Sequence, residues 1–350
     1  MSLGTVAVVD DVSLVTKSLG RLLRRSFRKE DLDYQIVVSQ RPDQVLDQVQ
    51  QSHEELVLVI SDIMMEPING LDFLRSVKAQ CPDALIIVLT GWINREIFTQ
   101  INQELDLFSY QEKPWDDEQF IRTVKNALNL YRRKKLLNRY VPEQVVKAVM
   151  TRPTNEVLEG VELEATILSL DVRNSTALFN TKTMGPKNAL KHLNRYFEHL
   201  LPIVEEYGGV LDKFMGDGML VLFGVPFPTA TPAHEAQQAV RCAWRLRQVV
   251  QELNEAEGKW PLTIGIGICT GTVIAGNVGT THRANYTVLG QAVNTAFRLE
   301  KAIRPLTDTI FLSESTYAHV QDLVAVKTHD LIIPEKGELA AYEVVTLSDN

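Results

Sequence analysis

Residues 212–224 read DKFMGDGMLVLFG, a polar, glycine-rich turn followed by an apolar run. Strands are predicted on either side of it, at Gly209–Phe214 and Met219–Phe223, because glycines permit tight backbone turns. Asp217 lies between two glycines, so the turn presents a carboxylate where a ligand can approach the backbone closely. An isolated Gly-Asp-Gly more often only makes a hairpin turn. The neighbouring segments therefore have to distinguish a site from a turn.

Two further segments carry residues of the same chemistry. Asp171 follows the strand predicted at Ala165–Leu170, and two carboxylates at neighbouring strand ends can hold the cation pair of two-metal phosphoryl transfer. Asn285–Gly290 leads into a helix on which Asn294 and Arg298 are four residues apart and share a face. Arginine can stabilise charge on a transferring phosphate, and asparagine can orient a ribose oxygen.

The remaining pattern after residue 159 predicts an α+β domain on a mainly antiparallel sheet. The predicted helices are Pro186–Tyr207, Ala233–Glu257 and Gln291–Ile303. The predicted strands include a hairpin made of Leu262–Thr270 and Val273–Val278, then short strands around Phe311, Leu331 and Tyr342–Val345.

Together these segments resemble the catalytic domain of class III nucleotidyl cyclases, with its ferredoxin-like fold. The metal-binding residues that the resemblance implies, for two Mg²⁺ or Mn²⁺ ions per site, are Asp171, Asp217 and the Val172 carbonyl. The resemblance also implies that Lys213 and Thr287 read the purine. It implies that Asn294 and Arg298 act in the transition state, and that Lys336 contacts the triphosphate.

The chemistry of Lys213 and Thr287 favours ATP as the substrate. Adenine presents an acceptor at N1 and a donor at its amino group; lysine only donates, and a threonine hydroxyl can accept. Guanine reverses both groups and would leave unpaired polar groups, at about 1–3 kcal/mol each. The sequence therefore predicts an adenylyl cyclase that forms 3′,5′-cyclic AMP and pyrophosphate, with a guanylyl cyclase as the alternative. Thr287 also resembles the bicarbonate-responsive subset, which adds bicarbonate as an implied effector.

The resemblance also implies a homodimer. In the family, the metal aspartates come from one subunit and the base-reading and transition-state residues from the other, and this chain carries both sets. Where the family usually has Gly-Phe-Thr, the sequence has Asn174-Ser175-Thr176, which can lower turnover without removing a metal ligand. A diguanylate cyclase is disfavoured because its Gly-Gly-Asp/Glu-Glu-Phe signature is absent from the sequence. A catalytically inactive, phosphorylation-dependent scaffold is the alternative from another functional class.

The first 130 residues alternate short β-branched runs with amphipathic helical runs such as Leu14–Phe27 and Leu71–Lys78. The predicted strands are Thr5–Val9, Gln35–Ser39, Leu56–Ser61, Ala84–Thr90 and Leu107–Gln111. Five apolar strands separated by helices predict a doubly wound parallel sheet, with its site at the carboxyl ends of the strands.

Polar side chains collect at that edge of the predicted sheet. Asp10 and Asp11 follow the first strand, Asp62 the third and Lys113 the fifth, while Thr90 ends the fourth. Carboxylates suit Mg²⁺. A carboxylate beside such an ion can accept a phosphoryl group, since the ion and a lysine neutralise the transferring oxygens.

This set resembles the receiver domain of two-component response regulators, which implies phosphorylation by a cognate histidine kinase. The phosphoacceptor would be Asp62, next to Mg²⁺ held by Asp10, Asp11 and Asp62. The implied switch residues are Thr90, Tyr110 and the phosphate-sensing Lys113. One departure is that Glu66 stands where the family usually has proline, with Pro67 following.

Composition limits the partners and the location. The chain of 350 residues has 44 acidic and 36 basic residues and a formal net charge of −8, which argues against a nucleic-acid surface. Its apolar stretches are too short to span a bilayer, and no signal peptide is predicted, so we expect a cytoplasmic protein without a membrane partner. The predicted domains are a receiver at 1–130, a helical linker at 131–158 and a cyclase domain at 159–350.

Overall fold

The computed structural model describes residues 3–52, 54–66, 69–91, 101, 104–142, 144–147, 160–173, 175–179, 184–228, 230–257, 260–280, 283–302, 306, 308–333 and 337–348. The chain forms two compact units, Met1–Arg139 and Tyr140–Asn350. Within these described ranges, no helix combines the length and the apolar character needed to cross a membrane.

The N-terminal unit is built on a parallel sheet with the strand order β2-β1-β3-β4-β5. The strands are β1 (Thr5–Val9), β2 (Gln35–Ser39), β3 (Leu56–Asp62), β4 (Leu85–Thr90) and β5 (Ser109–Glu112). The helices include α1 (Ser13–Lys29), α2 (Pro42–Ser52), α3 (Gly70–Gln80) and α4 (Asp117–Tyr140). The predicted doubly wound fold is confirmed, and the strand order changes direction between β1 and β3, where such sheets form their sites.

Strand β1 shows why polar residues collect at the sheet edge. Every residue of β1 is buried, and its alternate side chains enter two separate cores. Val8 packs in the same core as Leu19 of α1, whereas Val9 packs with Leu74 of α3 on the opposite face. Both faces of the sheet are thus covered by helices, so a ligand can reach the strands only at their ends.

Strand β5 lies later in the chain than the sequence predicts. It covers Ser109–Glu112 rather than Leu107–Gln111, and its ladder with β4 ends with Glu112 opposite Thr90. Leu107 packs against the core beside α3, so its hydrophobic signal reflects burial before the strand begins.

The C-terminal unit is built on an eight-stranded mixed sheet with the order β12-β13-β11-β9-β6-β8-β7, and β10 pairs with β9. The strands are β6 (Val161–Arg173), β7 (Val210–Met215), β8 (Gly218–Phe223), β9 (Thr263–Thr280), β10 (Arg283–Leu289), β11 (Thr309–Ser313), β12 (Val324–Ile333) and β13 (Gly337–Leu347). The helices include α5 (Ser175–Leu178), α6 (Pro186–Glu206), α7 (Pro232–Glu257), α8 (Gln291–Ala302) and α9 (Glu314–Val320). The pairing of β11 with β9 is parallel, which makes this mainly antiparallel sheet a mixed one.

Helices cover both faces of this sheet as well. On one face, Leu168 of β6 packs in a core with Tyr196 of α6 and Leu246 of α7. On the other, Ile167 packs with Ala296 of α8. Helix α8, which carries candidate site residues, is therefore fixed against the strands that end at the candidate site.

Strand β9 contradicts the hairpin predicted at this place. The sequence predicts two strands, Leu262–Thr270 and Val273–Val278, whereas the structure has the single strand Thr263–Thr280. The prediction is wrong because β6 is also long and pairs continuously with β9, so Gly271 lies within the ladder and makes no turn. A Cβ at Gly271 would lie in ordinary contact, 3.4 Å from the Ala292 side chain of α8, so the strand could also hold a larger residue here. The hairpin in this region is formed by β9 with β10.

The DKFMGDG stretch forms a hairpin of β7 and β8 whose turn is set by two glycines. Gly216 has a φ of 67°, in the left-handed region that glycine favours. Gly218 packs so tightly on β6 that a Cβ there would lie 2.4 Å from the Leu170 carbonyl oxygen and 3.4 Å from Asp171 Cα. The turn that carries Asp217 is thereby held against the strand end that carries Asp171.

Candidate active sites

The N-terminal unit has an acidic cluster at the carboxyl ends of β1 and β3. Carboxylate oxygens of Asp10, Asp11 and Asp62 lie within 4.8 Å of one another. The Nζ atom of Lys113 lies 2.6 Å from Asp10 Oδ2 and 2.5 Å from Asp62 Oδ2. Burial by itself lowers the pKa of Lys113, but the hydrogen bonds to these two carboxylates outweigh burial and raise it. The cluster therefore holds a fixed positive charge beside oxygen atoms that suit Mg²⁺.

Backbone groups hold the two buried carboxylates in place. The Val12 amide donates to Asp10 Oδ1 at 2.9 Å, and the Met64 amide donates to Asp62 Oδ1 at 3.0 Å. Gly70 begins α3 directly beneath, where a Cβ would lie 2.0 Å from the Asp62 carbonyl oxygen. Any side chain at position 70 would collide with the backbone at the end of β3, so this position requires glycine.

The other residues predicted to belong to this site lie around the cluster. Thr90 is buried at the end of β4, and its carbonyl oxygen accepts from the Lys113 amide at 2.7 Å. Tyr110 lies on β5 with its side chain exposed. At the position of the family's usual proline, the Glu66 amide donates to Asp11 Oδ2 at 3.4 Å, so this departure supplies a backbone donor. Pro67 lies outside the described residues.

The C-terminal unit brings Asp171 and Asp217 to adjoining positions at the ends of β6 and the β7–β8 hairpin. The Asp171 side chain is 22% exposed, so it is open to a ligand, while Val172 beyond it is buried. Asp217 accepts a hydrogen bond from the Ser175 hydroxyl. Ser175, which replaces the family's usual phenylalanine, is a site residue that the sequence analysis treats only as a departure. Its contact with Asp217 joins residues that are 42 positions apart, so the sequence pattern does not predict it.

The buried ion pair of Arg173 and Glu300 lies next to Asp171. The Nη1 atom of Arg173 lies 2.6 Å from Glu300 Oε1 and 3.2 Å from Asp171 Oδ2, and its Nη2 donates to the Glu300 carbonyl oxygen at 2.8 Å. The side chains of Arg173 and Glu300 are only 4% and 5% exposed. Gly265 of β9 leaves room for the guanidinium, since a Cβ there would lie 1.8 Å from Arg173 Nη2. Sequence spacing does not predict this pair, because its members are far apart in the chain.

Lys213 and Thr287 also lie in contact, and they are joined by Asp212, which was not predicted as a site residue. Lys213 Nζ donates to Thr287 Oγ1 at 3.1 Å, and Thr287 Oγ1 donates to Asp212 Oδ2 at 2.9 Å. The ammonium of Lys213 also lies 3.1 Å from Asp212 Oδ2. Burial raises the pKa of the Asp212 carboxyl, and the opposing effects of Lys213 and Thr287 do not cancel that increase.

Asn294 and Arg298 lie on α8, which approaches β9 closely. A Cβ at Gly267 of β9 would lie 2.3 Å from the Ala296 carbonyl oxygen of this helix. Asn294 is exposed, and Arg298 Nη1 is buried without a hydrogen-bond partner in the described parts of the chain. Guanidinium groups bind phosphates well, but a ligand could reach this nitrogen only if the surrounding side chains moved. Lys336 and Asn174 fall outside the described residues.

These features define a chain with a receiver fold followed by a cyclase fold. The family described as "Response regulator receiver domain" matches residues 6–125, and "Adenylate and Guanylate cyclase catalytic domain" matches residues 161–345. The second match covers more than half of the chain, which therefore belongs to the adenylate and guanylate cyclase family.

Individual relatives agree with this membership. An adenylate cyclase of Anabaena cylindrica is 28% identical over 224 residues, which are 59% of this chain and 42% of that protein. An uncharacterized protein of Mycobacterium tuberculosis is 34% identical over 164 residues, 47% of this chain and 28% of that protein. The chain thus spans less than half the length of these curated relatives. The structure of a bacterial light-regulated adenylyl cyclase matches with a TM-score of 0.57 over 68% of each chain at 23% identity, which shows the fold alone.

Proposed function

We propose that this chain is an adenylyl cyclase controlled by phosphorylation of its N-terminal unit. The observation that carries the choice of substrate is the 3.1 Å contact between Lys213 Nζ and Thr287 Oγ1. Side by side, a donor for N1 and an acceptor for the amino group match adenine. If GTP bound in this site, the Lys213 ammonium would face the N1–H of guanine, and two donors would oppose each other.

The donor set of the C-terminal unit fits the divalent metal ions that the family generally uses. Asp171, Asp217 and the Val172 carbonyl would hold two Mg²⁺ or Mn²⁺ ions. When bound, these ions make the ribose hydroxyl more acidic and neutralise the leaving pyrophosphate. Arg173 and Ser175 fix the two carboxylates through the contacts described above.

The proposed reaction closes a ring on the nucleotide. The ribose 3′-oxygen attacks the α-phosphorus, the bond from that phosphorus to the bridging oxygen of the β-phosphate breaks, and the 3′-hydroxyl proton passes to water. The products are 3′,5′-cyclic AMP and pyrophosphate. Asn294 would orient the ribose, and Arg298 would stabilise the charge on the transferring phosphate. Lys336 is proposed to contact the triphosphate on the resemblance alone.

We infer a homodimer with two composite sites, in which one subunit supplies the metal carboxylates and the other supplies the base-reading and transition-state residues. The proposed domain plan is a receiver at 1–130, a linker at 131–158 and the cyclase domain at 159–350. The long helix α4 runs from Asp117 to Tyr140 and so continues past the proposed receiver boundary. We propose that it transmits the state of the receiver to the cyclase dimer.

Phosphorylation is proposed at Asp62, with a histidine kinase as the donor. The phosphorus–nitrogen bond of the kinase phosphohistidine would break as a carboxylate oxygen of Asp62 bonds to phosphorus. Asp10 and Asp11 would hold Mg²⁺ together with Asp62, and Lys113 is already in contact with the acceptor carboxylate. Thr90 and Tyr110 are the proposed switch pair that responds to the new phosphoryl group.

The experiment that tests this function measures cyclic nucleotide formation by the purified full chain. ATP and GTP are supplied separately, with Mg²⁺ or Mn²⁺, with and without acetyl phosphate, and with and without bicarbonate. We expect the protein to form cyclic AMP from ATP, and we expect acetyl phosphate to change the rate of cyclic AMP formation. Cyclic GMP as the main product would favour the guanylyl alternative. No product from a folded dimer would favour an inactive scaffold.

A further inference from the structure

Strand β7 contains a bulge next to the base-reading pair. Leu211 pairs with Val221 and Lys213 pairs with Leu220, so Asp212 is an extra residue with no counterpart on β8. On a regular strand, neighbouring side chains point to opposite faces, and a bulge changes that direction. Here Asp212 and Lys213, although adjacent, both contact the hydroxyl of Thr287.

These contacts determine how the Thr287 hydroxyl can bond. A hydroxyl has one hydrogen, and an ionised carboxylate can only accept. The 2.9 Å bond to Asp212 Oδ2 therefore commits the hydrogen of Thr287 and leaves Oγ1 as an acceptor toward other groups. The Asp212 side chain is only 2% exposed, so water does not compete for this bond. Burial raises the pKa of the Asp212 carboxyl, and the Lys213 ammonium 3.1 Å away opposes that increase by favouring the ionised form.

We propose that Asp212 is a specificity-determining positioning residue, which orients the Thr287 hydroxyl so that its oxygen accepts from the adenine amino group. This inference rests on the proposed cyclase activity and deepens it. A threonine hydroxyl without such a partner can rotate and donate to the 6-carbonyl of guanine, so threonine alone does not discriminate between the purines. When the hydroxyl hydrogen of Thr287 is bonded to Asp212, only a lone pair of its oxygen faces the guanine carbonyl, and the two acceptors repel each other.

The test compares kcat/KM of the full chain for three nucleotides: ATP, GTP and purine riboside triphosphate, which keeps N1 but lacks the amino group. Asp212→Ala removes the acceptor. We expect it to lower the ATP-to-GTP ratio by about ten- to a hundredfold, because a misoriented or unpaired polar contact has that effect on selectivity. We expect a much smaller effect on purine riboside triphosphate, which has no amino group for Thr287 to bind. A merely structural role would lower all three values together.

Two further variants sharpen the test. Asp212→Asn keeps an oxygen that can accept from Thr287, so it should retain most of the ATP-to-GTP ratio. In a Thr287→Val background, Asp212→Ala should change that ratio no further, because the hydroxyl it orients is gone. Circular dichroism establishes that each variant is folded. If Asp212→Ala does not fold, the wild-type comparison decides: the proposal requires a preference for ATP over purine riboside triphosphate of about tenfold or more.

The possible failures are distinguishable. Equal wild-type use of ATP and purine riboside triphosphate overturns the role of Asp212, and so does an unchanged ATP-to-GTP ratio in a folded Asp212→Ala chain. Both results leave the cyclase activity intact. Absence of any cyclic nucleotide from the wild-type chain overturns the proposed function itself and this inference with it.

Discussion

The acidic cluster of the N-terminal unit and the carboxylates of the C-terminal unit use the same residue type but are held differently. Asp10 and Asp62 share the ammonium group of Lys113, at 2.6 and 2.5 Å. In the C-terminal unit, Asp217 accepts from a neutral serine hydroxyl. Asp171 lies 3.2 Å from a guanidinium that is closer to another acid, Glu300, at 2.6 Å.

The difference indicates which chemistry each unit can complete by itself. The N-terminal cluster contains the proposed acceptor, the proposed metal carboxylates and the lysine in one chain, so we expect a single copy to be able to accept a phosphoryl group. In the C-terminal unit, Arg298 Nη1 is buried with no hydrogen-bond partner among the described residues. The proposed metal carboxylates, Asp171 and Asp217, form contacts with other groups of the same chain. In the proposed composite site, Arg298 of a second copy would complete this set of residues.

The largest expected effect comes from Asp217→Ala, which removes a proposed metal ligand. We expect cyclic AMP formation to fall by more than about a thousandfold, since losing only a partner of a metal ligand already costs 10–100-fold. Labelling of Asp62 by radioactive acetyl phosphate should be unchanged, because the acidic cluster belongs to the other unit. Gel filtration checks that the variant still dimerises. Retained cyclic AMP formation would contradict the two-metal assignment.

Arg298→Ala is expected to lower kcat by about a hundred- to a thousandfold while KM for ATP changes little, as for the loss of a group that acts in the transition state. Steady-state kinetics over a range of ATP concentrations separates the two constants. The control is Arg245→Ala, which removes an arginine of the same unit whose ion pair with Glu252 is exposed. A rise in KM with unchanged kcat would assign Arg298 to substrate binding instead.

Mixing two inactive chains tests whether the cyclase site is shared. Asp171→Ala and Arg298→Ala chains, unfolded and refolded together, should recover about a quarter of wild-type activity, because half of the dimers are mixed and each has one intact site. The N-terminal cluster provides the contrast. Mixing Asp10→Ala with Asp62→Ala chains should restore no phosphorylation, since metal carboxylate and acceptor must lie in one chain. Verified mixed dimers without cyclase activity would exclude shared sites.

The sequence predicts those parts of each site that depend on strand ends, and it misses those that depend on packing between distant elements. Asp62 is the last residue of β3, and Asp10 and Lys113 directly follow β1 and β5; the carboxyl ends of parallel strands lie at the same edge of a sheet. Asp212 is different, because its role depends on a bulge that strand periodicity cannot show. The long strand β9 is predicted wrongly for a related reason: glycine at position 271 suggests a turn, but pairing with β6 keeps the residue within the strand.

The buried pair of Arg173 and Glu300 gives the smallest expected effect on chemistry, and its main effect is on stability. Glu300→Gln leaves the buried guanidinium with only the more distant Asp171 carboxylate as a counter-charge, at a cost of up to about 3–5 kcal/mol in the free energy of unfolding. Scanning calorimetry of the full chain should show this as a lower transition temperature. Glu252→Gln is the matched control: its partner is Arg245, both side chains are exposed, and such pairs contribute about 0–1 kcal/mol. Because Arg173 is then free to turn fully toward Asp171, we also expect Glu300→Gln to raise the Mg²⁺ concentration needed for half-maximal activity. Equal transition temperatures for the two variants would show that this ion pair does not hold β6 to α8.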